Sequence, residues 1–314
     1  MIEASEARAA QSRSVPLALL MVLIIGLCWG SAFPLNRMAI TSGVPFAAYV
    51  FLQSVGAAVL LLIAGAVTRQ LPRIRSRAHV RAYFALAFFG IGIPYYVLTI
   101  AADKVPAGVL GLVQTIEPLM TYLFVMLFAL ERFHWLRMGG LVVGLVGILL
   151  VLVPRTSLPS PDMVMWVVIG FSASLSWAFW TVVVVLVRPP QERPVAYAAG
   201  YALFSALITG PAVLITDGWW FFKTPFGAAE WSVIAMTLIN AFLFYFAMEC
   251  IRYAGVVLYS IWAYVGTLTA IGLGILVFGE QHSGWIWAAV ALLFIGTALV
   301  TQGGRFAKPV RSGH

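Results

Sequence analysis

The stretch VPAGVLGLVQTIEPLMTYLFVMLFA, Val105 to Ala129, runs apolar for 25 residues with one charged side chain, Glu117, twelve residues from either edge. A hydrocarbon core about 30 Å thick needs roughly 20 apolar residues per helical crossing, so this stretch reads as a membrane span. It also reads as a helix. Strands of a membrane barrel alternate in polarity over about ten residues, whereas this segment is apolar on every face.

The rest of the chain repeats the pattern. Of 314 residues, 62% are hydrophobic and only 10% charged, with a mean hydropathy of +0.98, against about 25% charged in soluble domains. Ten apolar spans are marked by charged or Pro/Gly-rich breaks: Leu17–Ile40, Phe46–Thr68, Tyr83–Ala102, Val105–Ala129, Trp135–Val153, Met163–Val187, Ala196–Thr216, Trp231–Cys250, Gly255–Phe278 and Trp285–Thr301. The fold class that follows is an all-α membrane protein of ten transmembrane helices. Helices satisfy their own backbone hydrogen bonds in lipid. The first span exceeds a signal peptide in length and has no cleavage pattern after it.

A net charge of +8 would suggest nucleic acid in a soluble protein, but here the basic residues fall in short loops. Fifteen Lys and Arg collect on one side and four, Arg37, Lys104, Arg155 and Lys223, on the other. The positive-inside rule then predicts a multi-pass inner-membrane protein with both termini cytoplasmic and no nucleic-acid partner. Cys28 and Cys250 sit inside apolar spans, where a thiol packs as a small hydrophobe.

The chain also reads as a duplication. Trp29 in LCWGSAF and Trp177 in SLSWAFW are 148 positions apart, while Glu131 in FALE and Glu280 in VFGE, like Gly147 and Gly296, are 149 apart. The expected organisation is a tail at 1–14, repeat 1 at 15–153, a linker at 154–162, repeat 2 at 163–302 and a tail at 303–314. Five crossings per repeat reverse the second relative to the first, which gives an inverted pair around a central cavity.

Four stretches, WGSAFPLNR (Trp29–Arg37), Pro106–Glu131 with its Glu-Pro pair, SWAFW (Ser176–Trp180) and GILVFGE (Gly274–Glu280), resemble the EamA-type branch of the drug/metabolite transporter superfamily. Gly266 and Thr267 stand where Glu117 and Pro118 would recur in the second repeat, a departure from symmetry. The resemblance implies a secondary or facilitative transporter of small metabolites working by alternating access, with no ATP site and no cofactor. The wealth of aromatic residues is similar to the YddG-type exporters, which implies amino acids, aromatic or otherwise neutral, as cargo. Cationic drugs or other metabolites are the alternative cargo, with protons as the candidate co-substrate.

Candidate site residues come from polarity at mid-depth. A carboxylate at the bilayer centre costs about 3 kcal/mol on insertion scales, so Glu117 should face protein or water. Pro118 has no N–H and deprives the Gln114 carbonyl of its helical donor, which predicts a kink where Gln114 and Glu117 share a face. Two readings stay open: Glu117 as a substrate-ammonium contact or proton carrier, or as a structural acid at the kink. Trp29, Phe33 and Asn36 form a stripe beside Pro34, and Trp177 is the repeat mate of Trp29. Pro94 breaks the third span at Tyr95 and Tyr96; Asn240 and Tyr245 mark the eighth; Tyr259, Trp262 and Gly266 are expected on one face of the ninth. Pro34, Pro94, Pro118 and Gly266 are the expected hinges.

Gly140 and Gly144 form a GxxxG pair, within the protomer or at a homodimer contact. Glu131 and Glu280 are expected at a solvated or headgroup boundary rather than in a metal site. Trp219 to Phe222 resemble an interfacial aromatic belt. An intramembrane enzyme would need a nucleophile and base or a metal cluster at one depth, and the four histidines all fall in loops or the tail, so no catalytic or metal residue is expected. A membrane sensor is the other remote reading.

Overall fold

The computed structural model describes residues 2–128, 133–152, 158–187, 193–259 and 262–303, without the side chains of residues 2–16, 152, 184–185, 248, 251–259 and 300–303. Its described residues form ten apolar helices. They are α1 (Ile2–Thr41), α2 (Phe46–Val67), α3 (Arg77–Ala101), α4 (Ala107–Leu127), α5 (Trp135–Leu152), α6 (Met163–Leu186), α7 (Pro194–Ile215), α8 (Ala228–Tyr259), α9 (Trp262–Phe278) and α10 (Gly284–Gly303). Seven of them carry stretches long and apolar enough to cross a membrane alone; α5, α9 and α10 supply shorter apolar stretches. Large exposed side chains such as Leu20, Ile63, Leu145, Leu207 and Leu276 cover the outside, as a protein solvated by lipid requires.

Helix packing follows the duplication. α1 packs on α8 and α9, and its counterpart α6 packs on α3 and α4; α2 pairs with α7, α4 with α9 and α5 with α10. Exchanging each helix for the one five later reproduces the same pairs. This is the contact pattern of two five-helix units related by a two-fold axis, and an odd number of crossings makes them inverted.

Proline sets the two irregular turns. In α3 a π turn spans Phe88–Gly92 just before Pro94. Pro94 offers no N–H to Gly90 in the α register or to Phe89 in the π register. Both carbonyls are taken up by α6: Ser176 Oγ donates to Phe89 O (2.7 Å) and Trp177 Nε1 to Gly90 O (2.8 Å). In α4 a 3₁₀ turn, Gln114–Ile116, precedes Pro118. Ser174 Oγ, again from α6, donates to Gln114 Oε1 (2.7 Å). Pro34 likewise offers no N–H to Gly30 O, but α1 runs on through it without a π or 3₁₀ turn.

The expected boundary between the eighth and ninth spans needs correction. α8 continues past Arg252 and Gly255 to Tyr259, and α9 starts at Trp262. Arginine is a good helix former and a single glycine costs only about 1 kcal/mol, so neither ends a helix on its own. Tyr259 therefore belongs to α8 and does not share a face of α9 with Trp262. The GxxxG pair packs within the chain: a Cβ on Gly296 of α10 would stand 2.6 Å from Gly140 O and 2.8 Å from Gly144 N of α5.

Candidate functional site

Trp29 sits at the centre of the molecule. Its ring meets Trp177 edge-on at 4.7 Å, Trp262 at 5.6 Å and Phe33 at 6.1 Å, while Tyr95 stands edge-on to Trp177 at 6.3 Å. Two small cavities flank it. One is lined by Trp29, Phe33, Asn36, Tyr95, Trp177 and Met236, with Ala32 and Leu98; the other by Trp29, Phe33, Gln114, Thr115, Trp262 and Thr267, with Gly111 and Ala263. Neither lining contains a charged side chain. Each cavity leaves about 10 Å³ of room, on the order of a single water, so the helices are closed around this centre. A solute larger than water enters only if they part.

Seven of the expected residues, Trp29, Phe33, Asn36, Tyr95, Gln114, Trp177 and Trp262, thus line the two cavities. Gly266 is buried against Trp29 and the Gly30 backbone. Asn240 lies one layer back, receiving the Tyr95 hydroxyl on Oδ1 (2.7 Å) and donating from Nδ2 to Gln53 Oε1 (2.7 Å). Gln53 is fully buried in α2 and is not singled out by motif or spacing; the available signal is an amide midway along an apolar helix. Gln53 Nε2 and Asn36 Oδ1 are buried with no hydrogen-bond partner among the described residues, so this layer holds unspent polar capacity beside the cavity.

Other expected residues lie elsewhere. Tyr96 turns away and donates to Thr209 O of α7 (2.8 Å). Tyr245 is half-buried against Phe246. Glu117 is half-buried, lines neither cavity, and has no hydrogen-bond partner among the described residues. The side chain of Tyr259, and Glu131 altogether, lie outside the described residues.

Glu280 departs from its expected solvated boundary. Its side chain is 4% exposed and ion-paired to Arg37, with the His282 ring 3.5 Å away. The physical reason is the turn at Gly279, whose φ of +63° folds the chain back so that Glu280 N–H bonds Gly274 O (3.2 Å). Among the described residues there is no cluster of three or more His, Cys, Asp or Glu that could hold a metal.

Comparison with known proteins agrees with this architecture. Residues 16–153, the first five-helix unit, match the EamA-like transporter family. The chain is 30% identical over 141 residues to "Uncharacterized transporter YdfC" of Bacillus subtilis (strain 168), a match spanning 45% of each protein. It is 29% identical over 299 residues, 90% of each protein, to "Uncharacterized inner membrane transporter YedA" of Escherichia coli (strain K12). A solved crystal structure of another protein superposes on 94% of this chain and 98% of its own, with a TM-score of 0.62 and 19% identity, a likeness of fold alone. The ten helices, the two-fold packing and these matches agree: the chain is a multi-pass membrane protein whose first five-helix unit resembles the EamA-like transporter family.

Proposed function

We propose that this transporter exports small neutral metabolites, amino acids with aromatic or other uncharged side chains foremost, by alternating access about the Trp29 centre. The observation that carries the reading is the lining of the two cavities: aromatic faces, amides and hydroxyls, with no charged group. Such a surface suits a net-neutral solute with an apolar body, because aromatic rings give contact area and hydroxyls or amides give orientation. An acidic solute would bury an unpaired charge there. The closed, water-sized cavities fit a state between two openings, and the two-fold packing supplies two equivalent ways to open. By the positive-inside argument the termini are cytoplasmic and export is outward.

The test is uptake of a labelled amino-acid panel into proteoliposomes holding the purified protein, with and without an imposed pH gradient. Saturable movement of Phe, Trp or Tyr above empty liposomes is the expected result. Movement of cationic drugs but of no amino acid would replace this substrate class by the cationic one.

A further inference from the structure

We propose that Glu280 is the gating carboxylate for one mouth of the transport path, a role that rests on the transport reading above. The geometry is a three-helix clamp. Glu280 Oε1 accepts from the Ala107 N–H (2.7 Å) and from Arg37 Nη1, and Oε2 accepts from the Gly108 N–H (3.1 Å). Arg37 lies near the end of α1, with its guanidinium over the Phe278 ring at 4.5 Å; Ala107 and Gly108 open α4; Glu280 itself follows α9. One buried carboxylate therefore fastens three helix ends at the same face of the molecule.

Those three helices are the walls of one cavity. Trp29 and Phe33 come from α1, Gly111, Gln114 and Thr115 from α4, and Trp262, Ala263 and Thr267 from α9. A solute larger than water arriving from this end must part α1, α4 and α9, and it cannot do so while Glu280 holds all of them. Charge-assisted hydrogen bonds away from water are strong ones, so the clamp favours the closed arrangement. The space is built for it: a Cβ on Gly274 would stand 2.3 Å from Glu280 Oε2, and one on Gly108 would stand 2.8 Å from His282 Nε2. His282 is the other titratable group facing the carboxylate, whereas Asp103 and Lys104 before α4 pair with each other at 2.8 Å and are more exposed.

The test reads opening without needing a substrate. In the full chain with Cys28→Ala and Cys250→Ala, a Thr267→Cys reporter is placed in the cavity wall, and its labelling by a membrane-impermeant maleimide is timed in right-side-out and in inside-out vesicles. Glu280→Gln keeps the size and an acceptor but removes the charge; a tenfold or greater rise in labelling rate is expected in one vesicle orientation only. Arg37→Gln frees only α1, and a smaller rise is expected in the same orientation. An unchanged rate, or an equal rise in both orientations, overturns the gate, the second because it marks general loosening. Should Glu280→Gln fail to reach the membrane, Arg37→Gln decides alone, and labelling equal to the parent sinks the proposal. A wrong substrate class leaves this result standing, and a failed gate leaves the amino-acid panel standing.

Discussion

Trp29 and Trp177, 148 positions apart and equivalent in the two repeats, meet edge-to-face at 4.7 Å. The duplicated chain thus places its two copies of one residue against each other on the axis between the halves. Their roles differ. Trp177 spends its N–H on Gly90 O in the π turn, while Trp29 packs Phe33 and Trp262 and lines both cavities. Trp177→Phe keeps the aromatic body and strands the Gly90 carbonyl. A buried unsatisfied group costs about 1–3 kcal/mol, so the thermal midpoint in detergent should fall by several degrees. Trp29→Phe loses the same ring atoms but strands no carbonyl, so its midpoint should fall less than that of Trp177→Phe while transport changes. Equal midpoint losses in the two variants would contradict this division.

The Tyr95–Asn240–Gln53 chain predicts an asymmetry of its own. Asn240→Leu removes the middle of the network and leaves both the Tyr95 hydroxyl and the Gln53 amide without their 2.7 Å partners. Gln53→Leu leaves Tyr95 and Asn240 still joined. Because stranded buried polar groups carry the cost, Asn240→Leu should lower the unfolding midpoint more than Gln53→Leu. The reverse order, measured in the same detergent, would show that the chain is not what orders this layer.

Much of this fold is legible in the sequence because membrane insertion writes it there: composition gives ten spans, and the 148–149 offsets give the duplication. The positions of Pro94 and Pro118 likewise foretell both irregular turns, since a missing N–H is a local fact. What depends on distant partners is less legible. Gln53 looks like one stray amide until Asn240, 187 positions on, arrives beside it. Glu280 looks like a headgroup residue until the Gly279 turn folds it over α4. The end of α8 is hard to read in the pattern because Arg252 and Gly255 look like a break, although neither ends a helix on its own.

Gly296 tests the packing of α5 on α10. A methyl group there would stand 2.6 Å from Gly140 O and 2.8 Å from Gly144 N, backbone atoms that cannot rotate away. Overpacking of this kind costs about 1–3 kcal/mol. Gly296→Ala should lower the thermal midpoint, and Gly296→Val should do so further or block folding. Gly139→Ala is the control, since nothing lies within 4 Å of its Cβ position and alanine favours the helix; a similar loss there would show that the cost at Gly296 does not come from the close approach of α5 and α10.

Glu117→Gln separates the two readings of the carboxyl at mid-span. The group lines neither cavity and has no hydrogen-bond partner among the described residues, so its replacement by an uncharged isostere should cost little stability. If Glu117 carries a proton in the cycle, the variant transports without response to an imposed pH gradient in proteoliposomes. A variant that responds to the gradient as the parent does would assign Glu117 to the helix kink instead.

His282 gives the clamp a pH dependence whose sign can be worked out. The ring lies in the turn between α9 and α10 with a side chain 2% exposed, and burial holds its pKa below the ordinary 6.5, with Glu280 pulling the other way less strongly. The unfolded chain therefore binds a proton that the folded chain resists, and folding stability rises with pH wherever that is so. The contribution is intact above about pH 6.5 and is lost as pH falls below it toward the depressed folded value. On acidification from pH 7 to pH 5 the parent's thermal midpoint should fall more than that of His282→Gln, which keeps a polar group but cannot be protonated. Parallel pH profiles for the two proteins would mean that His282 is not a titrating part of the clamp.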